Sequence, residues 1–167
     1  MNAERPVKDI MSTQLVTVYP NASAKEVFDI FNNHNFHHLP VVEKGELLVG
    51  IISKEDFFKV SYILPQQTTG KTWTEKQYQS LTAKDFMTTY PMTLDPDDTI
   101  GLAADIFLSN KFHALPVVED NQLLGIITSH DLLRYGYDYP QEQEHNSLNT
   151  NEMFETDAFR EDDNDIF

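Results

Sequence analysis

The stretch Phe112–Asp131, FHALPVVEDNQLLGIITSHD, contains two short apolar runs joined by a polar link, Glu119–Gln122. A link of this length that contains Asp120 and Asn121 predicts an antiparallel hairpin. The second run ends at Thr128, and an acid follows three residues later, before apolar residues at helical spacing. The stretch therefore predicts strand, turn, strand and then a helix with a capped first turn.

The chain contains this stretch twice. Residues 36–56 read FHHLPVVEKGELLVGIISKED. Matching residues of the two copies are 76 positions apart up to the paired leucines, whereas Gly50 and Gly125 and the residues after them are 75 positions apart. We attribute this difference to one extra residue in the first copy, Val49. The extent of the match predicts a tandem repeat. Five residues upstream in the first copy also have identical counterparts 76 positions later: Asp9, Met11, Thr13, Thr17 and Pro20.

Length and composition limit the classes of function. A chain of 167 residues with 40% hydrophobic content can form one compact domain of two halves. No apolar run approaches the ~20 residues of a transmembrane helix, and the N-terminus does not read as a secretory signal. The absence of cysteine excludes disulfides and thiolate chemistry and fits the cytoplasmic location that we expect. A net charge of −15 argues against nucleic acid and anionic membranes as partners.

The acidic charge is concentrated at the C-terminus. Residues 138–167 carry ten acids and one base, Arg160. Because this segment has few aliphatic residues and no periodicity, we expect a largely disordered acidic tail. Its remaining apolar residues leave a second interpretation open, a short docking segment that orders on a partner: Met153, Phe154, Phe159, Ile166 and Phe167.

Each repeat predicts a β-α-β-β-α unit, and therefore an α/β (α+β) fold. In the first repeat we expect a strand at Leu15–Tyr19 and a helix capped by Asn21 or Ser23. That helix has one apolar face, followed by the hairpin and by a helix from about Lys54 to Leu64 that Pro65 stops. The apolar face consists of Val27, Ile30 and Phe31.

The second repeat predicts the same order of elements. A strand at Met92–Leu94 precedes a helix from about Thr99, and a final helix starts at Ser129 and ends at Gly136. We assign residues 1–64 to repeat 1, residues 82–137 to repeat 2 and residues 138–167 to the tail. Between the repeats, residues 65–81 form a linker with a polar loop and a short helix at Trp73–Leu81. The two half-sheets then close a common core about a pseudo-twofold axis.

These motifs resemble the CBS domain (cystathionine β-synthase domain), two of which form a Bateman module. Each copy has D-x-M near its start, L-P-V-V in its middle and G-I-I-[ST]-x-x-D near its end, and the resemblance covers about residues 7–137. It implies a regulatory module that is not an enzyme, forms a disc-like homodimer and modulates an unknown partner protein. It also implies an adenosine-containing ligand between the repeats, either AMP, ADP, ATP with Mg²⁺ or S-adenosylmethionine, with no required cofactor.

The same resemblance implies two equivalent ligand sites. Asp56 and Asp131 would accept hydrogen bonds from ribose hydroxyls, with Ser53 and Thr128 near ribose or phosphate. Gly50 and Gly125 precede them, where a missing side chain lets another group approach. The eight candidate ligand-binding residues are Thr17, His37, Ser53, Asp56, Thr93, His113, Thr128 and Asp131.

Two purely structural interpretations compete with this one. The [ST]-x-x-D motif also fits a capping box, in which the hydroxyl accepts from a helix-start N–H and the acid reaches back. His37 and His113 also fit strand-end residues hydrogen-bonded to backbone.

At the phosphate end of each site, the histidine, His37 or His113, has no arginine beside it in the sequence. His38 and Ala114 stand where an arginine is frequent in the family, so no bidentate phosphate clamp is available. Nearby cations would be Lys54, Lys111 or Arg134, which favours a lightly charged ligand or one that carries Mg²⁺.

Other chemistry has little support in the sequence. His34, His37 and His38 are close together, but without cysteine or a second spaced pair they predict no metal site. No Ser–His–Asp arrangement or Gly-rich phosphate loop occurs, and we predict no catalytic residue. Two functions remain: a ligand-sensing regulatory module, or a ligand-free dimerisation scaffold.

Two apolar helical segments predict a homodimer. A helix on a two-layer domain needs only one buried stripe, so apolar residues around its whole axis suggest a second partner. Alternatively, Tyr62, Ile63 and Leu64 cover the inter-repeat loop and Trp73 within one chain. The segments comprise Phe57, Phe58, Val60, Tyr62, Ile63 and Leu64, and Leu132, Leu133, Tyr135 and Tyr137.

Overall fold

The computed structural model describes residues 2–59, 80–110 and 112–138. The first repeat contains a 3₁₀ turn at Val7–Asp9, α1 (Ala24–Asn33), β1 (His38–Glu43), β2 (Leu47–Ser53) and α2, described over residues 54–59. The second contains a 3₁₀ turn at Ala83–Asp85, β3 (Thr88–Thr89), α3 (Ile100–Ser109), β4 (Ala114–Glu119), β5 (Gln122–Thr128) and α4 (Ser129–Asp138). The α/β fold class and the presence of two repeats are confirmed. The predicted end of α2, the linker loop and the tail beyond residue 138 lie outside the described residues, as does nearly all of the predicted helix at Trp73–Leu81.

Side-chain hydroxyls define the starts of α1 and α3. Ser23 Oγ accepts from Glu26 N–H at 3.2 Å, so Ser23 rather than Asn21 is the cap of α1. Thr99 Oγ1 accepts from Leu102 N–H at 3.1 Å in the same way. These bonds satisfy helix-start N–H groups that have no partner within the helix, and they orient both helices over the sheet.

Both hairpins form as predicted, but the extra residue of the first copy lies in its turn. The ladder shifts by one residue at Val49 in β2 and at Leu124 in β5, so both copies have the same bulge. The attribution to Val49 was therefore wrong. The turn of the first hairpin has three residues, 44–46, whereas the second has only Asp120 and Asn121, with φ of +50° and +64°. Two residues with positive φ fit a type I′ turn, which Asp and Asn tolerate.

The two strands predicted before α1 and α3 are reduced to single bridges. Val18 pairs in parallel with Val41, and Leu94 pairs in parallel with Val117. Val18 N–H donates to Pro40 O, and Val42 N–H donates to Val18 O, at 3.1 and 2.9 Å. A further parallel hydrogen bond upstream would need an N–H from Pro40, which proline lacks. Pro116 stops the second ladder in the same way.

The final helix does not end at Gly136. It runs from Ser129 to Asp138, and Arg134 Nε lies 3.6 Å from Asp138 Oδ2 across the glycine. Tyr135 is buried and packs this turn against the core of the second repeat. One glycine costs a helix only about 1 kcal/mol relative to alanine, so the packing of this turn outweighs it.

The sheet joins the two repeats at the tips of their hairpins. The strand order is β1-β2-β5-β4, with β3 paired to β2, and β2 meets β5 at Leu47 and Gln122. Leu48 N–H donates to Asn121 O at 3.0 Å, and Leu123 N–H donates to Glu46 O at 2.9 Å. Each hairpin keeps its own apolar core, one under β1 and β2 and one under β4 and β5.

A segment near the start of each repeat packs on the other repeat. We call residues 7–12 the first crossing segment and residues 83–89 the second. Val7 is fully buried in the second core, and Ser12 pairs with Ile126 of β5. Ala83 is fully buried in the first core, and Thr89 pairs with Gly50 of β2. Neither core is complete without the crossing segment of the other repeat.

Gly50 and Gly125 make room for these crossing segments. A Cβ added at Gly50 would lie 2.6 Å from Met87 Sδ, and one added at Gly125 would lie 2.5 Å from Met11 Sδ. Each would also lie 3.0 Å from a backbone carbonyl of the crossing segment. The close approach predicted at both glycines therefore occurs, and the approaching group is the methionine of a D-x-M motif.

We expect Gly50→Ala to destabilise the fold by about 1–2 kcal/mol. Overpacking costs about 1–3 kcal/mol, and the lower entropy of the unfolded chain with alanine offsets only about 0.4–1 kcal/mol of it. Urea unfolding measures the difference. In a Met87→Ala background the cost should become smaller, because the sulfur is gone while the Thr88 carbonyl remains. Unchanged stability of the single variant would contradict this account of the crossing.

Candidate functional site

In the second repeat, the [ST]-x-x-D motif forms a closed capping box. Asp131 Oδ2 accepts from Thr128 N–H at 2.7 Å and from the Thr128 hydroxyl at 2.6 Å. The hydroxyl oxygen in turn accepts from Asp131 N–H at 3.2 Å. Both side chains are half-buried at the start of α4. The capping interpretation is therefore correct for this copy.

In the first repeat, the motif forms only half of that arrangement. Ser53 Oγ accepts from Asp56 N–H at 3.0 Å, which caps α2. The Asp56 carboxylate points elsewhere, with Oδ1 at 3.7 Å from Lys59 Nζ, and its side chain is 64% exposed. Lys59 lies nearer to Glu55, at 2.8 Å. The two copies thus share a sequence motif but hold their carboxylates differently.

The remaining predicted residues lie on the strands that lead to these motifs. The backbone carbonyl of His37 accepts from Lys54 N–H at 2.7 Å, and that of His113 accepts from Ser129 N–H at 3.3 Å. Both imidazoles are exposed beside the helix starts. Thr17 and Thr93 are half-buried, each one residue before the bridge to β1 or β4.

His38 is a residue of this region that the sequence interpretation noted but did not include as a candidate. It is half-buried, and burial lowers its pKa from 6.5 to about 4. The charges of His37 and His113 lower this pKa further, whereas Asp56 opposes the shift. Since His113 belongs to the second repeat, groups from both repeats lie within electrostatic range of one imidazole. The signal in the sequence was a histidine at the position where the family often has arginine.

The three cations proposed for phosphate binding differ in how firmly they are held by other groups. Lys54 Nζ donates to Phe31 O at 2.7 Å and so binds the carbonyl end of α1. Arg134 faces Asp138 on α4, and Lys111 lies outside the described residues. Among the described candidates, the histidines remain available for phosphate, together with Arg134, because its exposed ion pair with Asp138 contributes little to stability.

Two surface concavities lie away from the predicted residues. One of about 430 Å³ runs along α1 and is lined in part by Ser23, Asp29 and His34, and another of about 330 Å³ lies around Tyr19. Within residues 2–59, 80–110 and 112–138, no group of three His, Asp or Glu side chains is arranged to hold a metal ion. No helix in the described part of the chain has the length and apolarity to cross a membrane.

A family comparison identifies these repeats. The model of the CBS domain matches residues 7–62 and again residues 83–138. The chain belongs to the CBS domain family. The resemblance in the sequence motifs is confirmed, and the pair of repeats is consistent with a Bateman module.

Similar proteins include both short and long CBS proteins. The CBS domain-containing protein YhcV of Bacillus subtilis is 28% identical over 75% of this chain and 81% of its own length. Several other curated relatives are much longer, and the chain spans only 22% of an L-aspartate semialdehyde sulfurtransferase from Methanocaldococcus jannaschii, with 32% identity over 77% of this chain.

Two similar solved structures contain adenosine ligands. CBSX2 in complex with AMP has a TM-score of 0.69 and 27% identity, covering 82% of this chain and 99% of that one. The CBS domain pair of MJ0100, in complex with 5-methylthioadenosine and S-adenosyl-L-methionine, has a TM-score of 0.64 and 29% identity. That match covers 80% of this chain and 96% of the other.

The low pKa of His38 predicts a pH dependence of stability. Below pH 6.5 the unfolded chain takes up a proton at this residue, whereas the folded chain stays neutral there until about pH 4. The contribution of His38 to stability is therefore complete above pH 6.5 and is lost as the pH falls toward 4. Urea unfolding between pH 7.5 and 4.5 should show a smaller decline for His38→Gln than for wild type. His130→Gln, at an exposed position, is the control, and equal slopes for all three proteins would contradict the prediction.

Proposed function

We propose that the chain is a regulatory module that binds adenosine-containing ligands between its CBS repeats and thereby modulates a partner protein. The observation that carries this proposal is the pair of complete repeats, together with similar CBS pairs whose structures contain AMP or S-adenosyl-L-methionine. One longer relative is an L-aspartate semialdehyde sulfurtransferase of which this chain spans only 22%, which supports a regulatory rather than a catalytic role for the repeats. The regulated protein is then another polypeptide or a further part of a longer one.

The ribose end of the proposed sites consists of Asp56 and Asp131 with their hydroxyl neighbours. An ionised carboxylate accepts hydrogen bonds only, which suits the two donors of a ribose diol. Hydrogen bonds to a charged acceptor contribute about 1.5–3 kcal/mol each, enough to select ligands that carry the diol. The exposed imidazoles of His37 and His113 lie near the helix starts, where a phosphate would need positive charge.

A ligand-free scaffold is the second candidate function. Met11 and Met87 account for the glycines, and the capping box accounts for Thr128 and Asp131 without any ligand. Much of the motif in the second repeat therefore has a structural role. The first repeat favours ligand binding, because the Asp56 carboxylate does not take part in its cap.

We predict that AMP, ADP and S-adenosylmethionine each bind more tightly than ATP when Mg²⁺ is absent. The phosphate end offers histidines instead of arginine, and the chain has a net charge of −15, so each additional phosphate charge is repelled. Calorimetry with the four ligands gives the order, and adding Mg²⁺ should restore the affinity for ATP. If Mg²⁺-free ATP binds most tightly, the description of the phosphate end is wrong. If none of the four binds, the scaffold is the better account.

We further propose that the module is a homodimer built on its helices. Of the apolar residues in α4, Leu132 and Tyr135 belong to the core, whereas Leu133 is 72% exposed and Tyr137 is 86% exposed. These two residues are one turn apart and form an outward stripe. In α2, Phe57 is buried and Phe58 packs edge-on against Phe28, so these two residues complete the first core. A twofold contact would cover the outward stripe of both chains at once.

Light scattering tests the dimer. Wild type should have the mass of two chains, and Leu133→Asp combined with Tyr137→Asp should reduce the mass to one, because charge would be buried in the contact. Tyr90→Asp is a matched control, since Tyr90 is 93% exposed but lies outside the helices and should leave the dimer intact. A one-chain mass for wild type from micromolar to millimolar concentration, with and without AMP, would refute the proposal.

A further inference from the structure

The two copies of the [ST]-x-x-D motif differ in how many carboxylate lone pairs remain for a ligand. In the second repeat, the main chain and the hydroxyl of Thr128 both donate to Oδ2 of Asp131. That oxygen is saturated, because a carboxylate oxygen accepts about two hydrogen bonds. Only Oδ1 of Asp131 can then accept from a ribose diol unless the capping box opens.

The Asp56 carboxylate does not accept hydrogen bonds from its own helix cap. Within the described part of the chain, its carboxylate lies 3.7 Å from Lys59 Nζ, and the side chains of Asp56 and Lys59 are 64% and 57% exposed. An exposed ion pair of this length contributes little to stability, so a ligand displaces it at small cost. Both oxygens of Asp56 can therefore accept from the two hydroxyls of one ribose, while Ser53 continues to cap the helix.

A second difference lies at the starts of β1 and β4. The first repeat has His38, a half-buried polar side chain within electrostatic range of Asp56, whereas the second has Ala114 at the same position. The first site therefore has an additional hydrogen-bonding side chain on the residue paired with Ser53, within electrostatic range of Asp56, His37 and His113. The second site has a methyl group there.

We propose that the two ligand sites of this chain are unequal, and that the ribose of an adenosine ligand binds first at Ser53 and Asp56. The second site, at Thr128 and Asp131, keeps its capping box and fills only at a higher ligand concentration. This inference rests on the proposed function, and it attributes the affinity difference first to the Asp56 carboxylate and second to His38. In a dimer, two tight sites and two weak ones would result.

Calorimetry with AMP and with 5-methylthioadenosine tests the inequality. Wild type should bind one equivalent per chain before a weaker phase. Asp56→Asn, which keeps the shape and removes the charge, should weaken the tight phase at least tenfold, whereas Asp131→Asn should change it less than threefold. An equal effect of the two substitutions, or a larger effect of Asp131→Asn, overturns the inference while leaving the proposed function intact. Absence of any binding by wild type overturns both.

A ligand-free measurement tests the structural basis of the inference separately. Asp131→Ala removes the acceptor of a closed capping box, so its melting temperature should fall by about 2–5 °C. Asp56→Ala should lower the melting temperature by less than half as much, because the cap of that helix is the Ser53 hydroxyl. Equal decreases would show that both carboxylates are equally committed, which overturns the inference whatever the ligand data.

Discussion

The contact of each D-x-M methionine with a glycine of the opposite repeat is the constraint on which the rest of the structure depends. Met87 lies over Gly50 and Met11 lies over Gly125, so closely that a Cβ at either glycine would force its neighbours to shift. Around these contacts, Val7 completes the second core and Ala83 completes the first. Because each core contains a buried residue of the other repeat, the two short repeats form one structural unit.

The packing of each crossing segment on the other repeat also determines where the candidate ligand residues lie. The crossing segments pair with β2 and β5 just before the [ST]-x-x-D motifs, at the ends of the same strands. The methionines thus take up the space at the glycines, and the carboxylates and histidines of the proposed ligand sites lie beyond them. At those ends the two repeats differ in two residues, Ser53 in place of Thr128 and His38 in place of Ala114, whereas the crossing segments pair with the two strands at similar positions.

Local patterns in the sequence predicted the hairpins, the helix caps and the fold class, because each depends on residues close together in the chain. The single-residue bridges at Val18 and Leu94 follow from a proline in the neighbouring strand. A prediction that takes each strand by itself does not include this effect of its neighbour. The packing of each crossing segment on the opposite repeat was not predictable, because the sequence alone does not show whether Met11 contacts Gly50 or Gly125. The sequence also did not predict that Asp131 takes part in its helix cap while Asp56 does not, because the two motifs have the same spacing and the difference lies in their side-chain geometry.

Native-state hydrogen exchange in increasing urea tests most directly whether the crossing segments make the two repeats one unit. Buried strand amides report on each half, with Ile52 in the first core and Ile127 in the second. The account predicts that both sets of amides exchange through one opening reaction, with the same free energy and the same dependence on urea. Two separate opening reactions, with one repeat unfolding while the other stays protected, would contradict it.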